Sequence, residues 1–180
     1  MWNLPNALTL LRIFMAPLLV VVLLTEIPDK EYWGLGIFLL AALTDALDGI
    51  IARRTDRMTT TGAMLDPIAD KLLMSAAFIS LVELQQAPAW MVTVIVGREF
   101  AVTALRLIAL ERGVPIAANW LGKAKTTSQV ITVSILIFSL NSDRWDLVAL
   151  TALWITLALT TASMVVYFWQ NWGVLKEDEA

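Results

Sequence analysis

Apolar residues in this chain gather in long runs instead of alternating stripes, and six such runs can be drawn. They span approximately Ala7–Leu24, Tyr32–Ile51, Pro67–Leu84, Pro88–Leu110, Lys125–Leu140 and Leu147–Trp169. About 20 apolar residues in a helix cross a bilayer core. Lipid offers no partner for backbone N–H and C=O groups, so helices, which satisfy them internally, are the expected form. The short connections Thr25–Glu31 and Glu83–Ala89 predict antiparallel neighbours. The pattern predicts an all-α integral membrane protein of six transmembrane helices, with a short N-terminal interfacial segment over Met1–Asn6. No internal repeat or low-complexity stretch divides the chain, so residues 1–180 are read as a single membrane domain.

Charge orients this bundle. Arg53, Arg54 and Arg57 lie between the second and third runs, and Arg112, Lys123 and Lys125 between the fourth and fifth. The opposite connections hold Lys30 and Arg144 beside Glu26, Asp29, Glu31, Asp143 and Asp146. An excess of Lys and Arg marks cytoplasmic loops, which places both termini in the cytoplasm. Trp33, Trp90 and Trp145 then fall near outer ends, and Trp2, Trp120, Trp169 and Trp172 near inner ends, where amphipathic rings anchor at the interface. No secretory signal is expected, because no basic residue precedes the first apolar run.

Composition narrows the chemistry. Of the 180 residues, 58% are hydrophobic and 16% charged, against about 25% charged in a soluble domain. The mean hydropathy is +0.72. With no cysteine, disulfides and thiolate metal sites are excluded; with no histidine, so are the commonest general base and zinc ligand. Acid–base and metal chemistry fall to carboxylates.

Those carboxylates are concentrated. Asp45, Asp48, Asp66 and Asp70 sit at or just inside the cytoplasmic ends of the second and third runs. Acids within a membrane are costly and are functional candidates by default. At about 100° per residue, Asp45, Asp48, Gly49 and Ala52 share an arc of roughly 100° on one helix face. Gly62, Asp66 and Asp70 share another if the third helix is continuous there. Facing one another across a short basic loop, they form a cluster of hard oxygen ligands suited to magnesium, manganese or calcium. Gly49, Ala52 and Gly62 leave room for a flat ligand such as a nucleotide base, or for close helix packing. Simpler local readings exist: Asp66-Pro67 as a helix start, Asp48-Gly49 as a turn, and Asp70 paired with Lys71 or Arg53. None accounts for the joint spacing.

The run Asp45-Ala-Leu-Asp48-Gly49-Ile-Ile-Ala52-Arg53, followed after eight residues by Gly62-Ala-Met-Leu-Asp66-Pro-Ile-Ala-Asp70, resembles the CDP-alcohol phosphatidyltransferase signature, D-x2-D-G-x2-A-R…G-x3-D-x3-D, at every fixed position. The resemblance implies a six-helix membrane core and two divalent ions (Mg2+ or Mn2+) held by Asp45, Asp48 and Asp66. Asp70 would be a further ligand or the general base. It implies that Gly49, Ala52, Arg53 and Gly62 receive the cytidine and diphosphate of CDP-diacylglycerol. Asn6, Thr9 and Arg12 resemble a Pro-Asn-x-x-Thr-x-x-Arg stretch of related enzymes, with Asn6 on the donor side. It also implies a homodimer in the bacterial cytoplasmic (inner) membrane, with no nucleic-acid partner.

The second half bears on the acceptor. Arg98 and Arg106, eight residues apart, lie within about 80° of each other on the fourth helix, with Lys123 and Lys125 near the same face. Such cations either meet an anionic second substrate, most simply a phosphomonoester, or neutralise Glu99 and the aspartates. The segments Gly97-Arg98-Glu99-Phe100 through Arg106 and Trp120-Leu-Gly-Lys123-Ala-Lys125-Thr126-Thr127-Ser-Gln129 resemble family members that use sn-glycerol 3-phosphate. That resemblance implies Arg98, Arg106, Lys123 and Lys125 as phosphate-binding residues, with inositol phosphate or another polar alcohol as the alternative acceptor. Outside the family, buried aspartates also suit a cation or proton transporter, whose sites usually lie near the midplane on broken helices.

Overall fold

A computed structural model of the chain describes residues 4–55, 60–114, 116 and 120–173, with side chains except those of 4–6, 8, 45–55, 60–67 and 143. Its described residues form six α-helices: α1 (Leu4–Leu24), α2 (Lys30–Thr55), α3 (Thr60–Glu83), α4 (Ala89–Glu111), α5 (Trp120–Ser139) and α6 (Asp146–Gln170). A 3-10 turn over Asp143–Trp145 leads into α6, and no strand occurs among the described residues.

Several boundaries differ from those the apolar runs predict. Leu4, Pro5 and Asn6, from the segment expected at the interface, already belong to α1. Pro5 is tolerated in the first turn, where no intrahelical N–H bond is needed. Residues 1–3 lie outside the described set. α2 runs unbroken through Asp48 and Gly49 to Thr55, so that pair is not a turn. α3 starts at Thr60, so Asp66-Pro67 is not its start and Gly62, Asp66 and Asp70 share one continuous helix. α5 begins at Trp120, which puts Lys123 and Lys125 inside a helix instead of in a loop.

Helix ends follow recognisable chemistry. α4 starts after Pro88, whose extended backbone (φ −62°, ψ 129°) cannot continue a helix backwards. It ends on Gly113 at φ +74°, with Gly113 N–H donating to Leu110 O and Val114 N–H to Ala109 O. These are the paired bonds of a Schellman cap, and the left-handed residue they require is least strained as glycine. α3 closes with the same pair of bonds, Gln85 N–H to Val82 O and Gln86 N–H to Leu81 O, around Gln85 at φ 60°.

α1 packs against α2 and α3, α5 against α6 and α2, and α4 against α6 and α3. The shared core is aliphatic and aromatic: Leu19, Leu23, Phe38, Phe78, Leu81, Met91, Ile95, Leu136, Ile137 and Leu153 are almost fully buried. The outside is as apolar as the inside, with Phe14, Val21, Leu43, Ile79, Leu107, Ile131, Leu147 and Val165 exposed. Water would penalise so continuous an apolar exterior, whereas lipid accepts it. All six helices have at least 20 residues, or about 30 Å of rise. Among the described residues one of them, Asp146–Gln170 with mean hydropathy 1.8, is both long and apolar enough to cross a membrane by itself.

The end of the bundle where α2, α4 and α6 begin is tied by aromatic and amide contacts. Asn141 Nδ2 donates to Tyr32 Oη (3.1 Å) and Ser139 Oγ to Gln86 Oε1 (3.1 Å). Phe138 meets Tyr32 and Trp145 edge-on, at 6.4 and 5.4 Å between ring centroids. Trp33, Trp90, Trp120, Trp145, Trp169 and Trp172 are all exposed near helix ends, as anchors should be; Trp2 lies outside the described residues.

At one point the packing requires glycine. A Cβ on Gly34 would lie 2.5 Å from Leu23 Cδ2, whereas one on Gly36 would meet nothing within 4 Å. Leu23 is fully buried and has little room to yield. Gly34→Leu is therefore expected to destabilise the protein by on the order of 1–3 kcal/mol through overpacking. The thermal midpoint in detergent should fall for Gly34→Leu and hold for Gly36→Leu; equal effects would show that α1–α2 packing does not need the glycine.

Candidate active site

The aspartate motif is carried by two helices that pack on each other, α2 with Asp45 and Asp48 and α3 with Asp66 and Asp70. Asp66 precedes Asp70 by four residues, an axial rise of about 6 Å. The side chains of Asp45, Asp48, Asp66, Arg53 and Asn6, and the surroundings of Gly49, Ala52 and Gly62, lie outside the described residues. Among the described residues no cluster of three metal-ligating side chains occurs, since Asp70 is the only one of the four whose side chain is described.

Asp70 is half-buried at the edge of a cleft between α3, α4 and α5. Toward the ends where α3 and α5 begin, the walls are polar: Asp70 and Lys71 from α3, Glu99 from α4, Lys125 and Thr126 from α5. Deeper, they become apolar with Met74, Phe78, Ile95 and Val96. Lys71 Nζ stands 4.0 Å from Asp70 Oδ2, and Lys125, Glu99 and Arg12 lie within electrostatic reach of the same carboxylate. Arg12 is fully buried and Thr9 nearly so, on the first helix, and both make polar or electrostatic interactions.

The opposite wall is organised around Glu99, whose role the sequence left open. Its Oε1 accepts from Arg98 Nη1 (3.0 Å), from Gln129 Nε2 (3.1 Å) and from the Lys125 ammonium. Arg98 Nη2 donates to Ser163 Oγ on α6 at 2.6 Å, and the guanidinium lies over the Tyr167 ring at 5.8 Å. A buried cation is tolerated only with such pairing, and here α4 and α6 provide it. Beyond it a buried seam of hydroxyls joins α5 to α6: Thr132 Oγ1 donates to Ala152 O (3.1 Å) and lies 2.8 Å from Thr156 Oγ1.

The four cations expected at the acceptor site separate. Lys125 lines the cleft and Arg98 is buried behind Glu99. Arg106 and Lys123 are exposed on the outside of α4 and α5, so the 80° that separates Arg98 from Arg106 is enough to divide a buried face from an open one. Lys71, considered in the sequence only as a partner of Asp70, emerges as a cleft-lining cation. Gln129, Ser163 and Tyr167 join the site through contacts between helices, and the one signal of them in the sequence was the Lys123-to-Gln129 segment.

The donor set fits a hard divalent cation: four carboxylates on adjoining helices, in a chain without histidine or cysteine. A family model for CDP-alcohol phosphatidyltransferases matches residues 2–162. The chain is 43% identical to a Bacillus subtilis protein named CDP-diacylglycerol–glycerol-3-phosphate 3-phosphatidyltransferase, over 98% of both chains. It is 34% identical to a Shigella flexneri protein of the same name, over 92% of this chain and 93% of the relative. A Mycobacterium tuberculosis protein named probable phosphatidylglycerophosphate synthase is 40% identical over 77% of this chain and 68% of its own. With the motif on α2 and α3, and with relatives that align almost from end to end, this chain belongs to the CDP-alcohol phosphatidyltransferase family.

Proposed function

We propose that the protein transfers a phosphatidyl group from CDP-diacylglycerol to sn-glycerol 3-phosphate, giving phosphatidylglycerol phosphate and CMP. The observation that carries this reading is the cleft that sets Asp70 on α3 across from Lys125 on α5. It is supported by the activity that names the relatives matching along nearly the whole chain.

Asp45, Asp48, Asp66 and Asp70 hold two divalent ions, Mg2+ or Mn2+. Bound there, the ions supply charge neutralisation of the donor diphosphate and polarisation of the phosphorus under attack. Gly49, Ala52, Arg53 and Gly62, with Asn6 on α1, receive the cytidine and diphosphate. Asp70 takes the proton of the attacking acceptor hydroxyl as the new O–P bond forms; the bond to the CMP oxygen breaks and CMP leaves. Lys125 and Lys71 meet the acceptor phosphate inside the cleft. Arg98 acts from behind, through Glu99, and exposed Arg106 and Lys123 draw the anionic substrate towards the mouth. The acyl chains stay in lipid while the headgroups react in the polar end of the cleft, and holding the hydroxyl in place favours it over water.

The setting follows from the same reading. Six helices long enough to span, an apolar exterior and basic residues at one end suit a six-span protein of the bacterial inner membrane. Its site and both termini face the cytoplasm, and the protein works as a homodimer.

Lys125→Met tests the acceptor assignment. A hydrogen bond to a charged group contributes about 1.5–3 kcal/mol, so the KM for sn-glycerol 3-phosphate should rise roughly 10- to 100-fold. The KM for CDP-diacylglycerol should hold. Arg98 continues to balance Glu99 in this variant, so the fold should survive. An unchanged acceptor KM would remove Lys125 from the acceptor site.

A further inference from the structure

We propose, building on the acceptor-site reading above, that Glu99 is a positioning residue that fixes the Lys125 ammonium at the cleft wall before the anionic acceptor arrives. Three donors converge on its single oxygen Oε1, and two of them are secured independently. Arg98 is buried, bound to Ser163 Oγ at 2.6 Å and seated over Tyr167. Gln129 is buried on the inner face of α5. Lys125 differs, because among the described residues Glu99 is the sole hydrogen-bond partner of its ammonium, and it borders the cleft beside Thr126 and opposite Asp70.

Lysine is a compact charge on a four-carbon stem with many rotamers. Without a fixed partner at the cleft wall it would exchange among rotamers, and each binding event would have to order it. A carboxylate held from behind by a buried arginine removes that cost in advance. The relay runs Ser163 and Tyr167 to Arg98, Arg98 to Glu99, and Glu99 to Lys125, crossing from α6 through α4 to α5. Its net charge is positive, two cations against one carboxylate, so the ammonium retains attraction for a phosphomonoester while its position is set. Glu99 touches neither substrate in this scheme, and its effect passes wholly through Lys125.

The test is a double-mutant cycle on the full-length protein in detergent, with KM values for sn-glycerol 3-phosphate and CDP-diacylglycerol measured separately. Glu99→Gln is expected to raise the acceptor KM by roughly tenfold and to leave the donor KM within about twofold; in the Lys125→Met background the same change should move the acceptor KM by less than about twofold, the non-additivity of residues that act as one unit. Glu99→Asp keeps the charge but withdraws the carboxylate by one methylene. It serves if Glu99→Gln does not fold, with a rise of about threefold that again disappears in the Lys125→Met background. A full Glu99 effect without Lys125, or equal rises in both KM values, would overturn the proposal. If Lys125→Met raises the acceptor KM and neither Glu99 variant does, the role of Glu99 alone is overturned. If Lys125→Met leaves that KM unmoved, the acceptor-site reading fails and this proposal with it.

Discussion

Asp70→Asn is expected to lower kcat for CMP release by on the order of 10²–10⁴-fold, the range over which a positioned general base contributes. Asparagine keeps the shape of the side chain and can still hydrogen-bond, but it neither takes a proton nor carries negative charge. Asp70 is half-buried on the cleft wall, with Lys71 at 4.0 Å and Lys125 and Arg12 within electrostatic reach. Losing its charge also weakens the hold on a divalent ion, which places the expected effect toward the upper end of the range. The fold should survive, since Lys71 is a loose partner at 4.0 Å and asparagine keeps the shape of the side chain. A kcat within about tenfold of the parent enzyme would remove Asp70 from the proton transfer.

Removing divalent ions should be as severe. Charge stabilisation by bound metal is worth several kcal/mol, which at 1.4 kcal/mol per decade amounts to about three orders of magnitude in rate. Dialysis against EDTA should abolish CMP release, and Mg2+ or Mn2+ should restore it. Binding can also be read without turnover. A ligand that favours the native state raises the thermal midpoint, so Mg2+ should stabilise the EDTA-treated protein, and Asp66→Asn should blunt that rise. Full activity in EDTA would contradict the assignment of the four aspartates.

The aspartate half of the candidate site rests on a local pattern. Asp45 and Asp48 fall on α2 and Asp66 and Asp70 on α3, so helical spacing groups the carboxylates of each helix. Continuity could not be read from it. Asp66-Pro67 and Asp48-Gly49 both look like breaks, yet α2 and α3 run through them, because packing outweighs local punctuation. The Thr44 hydroxyl, one position before the motif, donates back to Ala41 O at 2.7 Å within α2.

The acceptor half was only partly legible, for the opposite reason. Which of Arg98, Arg106, Lys123 and Lys125 faces the cleft depends on how α4, α5 and α6 rotate against one another, and no periodicity within one helix encodes that. Arg98 and Arg106 share a broad face by spacing, but α6 covers only the first, through Ser163 and Tyr167. Glu99 had no partner four residues away to announce it; Lys125 and Gln129 reach it from another helix. The apolar runs located six helices to within a few residues at most ends. The early starts of α3 and α5 escaped because Thr60–Asp66 and Trp120–Ala124 carry polar residues at the rim, where helices need no apolar face.

The most direct measurement is CMP release from CDP-diacylglycerol by the purified protein in detergent, with sn-glycerol 3-phosphate and Mg2+ each present or absent. Metal-dependent phosphatidyl transfer to this acceptor predicts rapid release only when both are added, with label from the glycerol phosphate appearing in the lipid phase. Release with another alcohol but not with sn-glycerol 3-phosphate would contradict the acceptor. Absence of metal-dependent release with any alcohol would contradict phosphatidyl transfer itself.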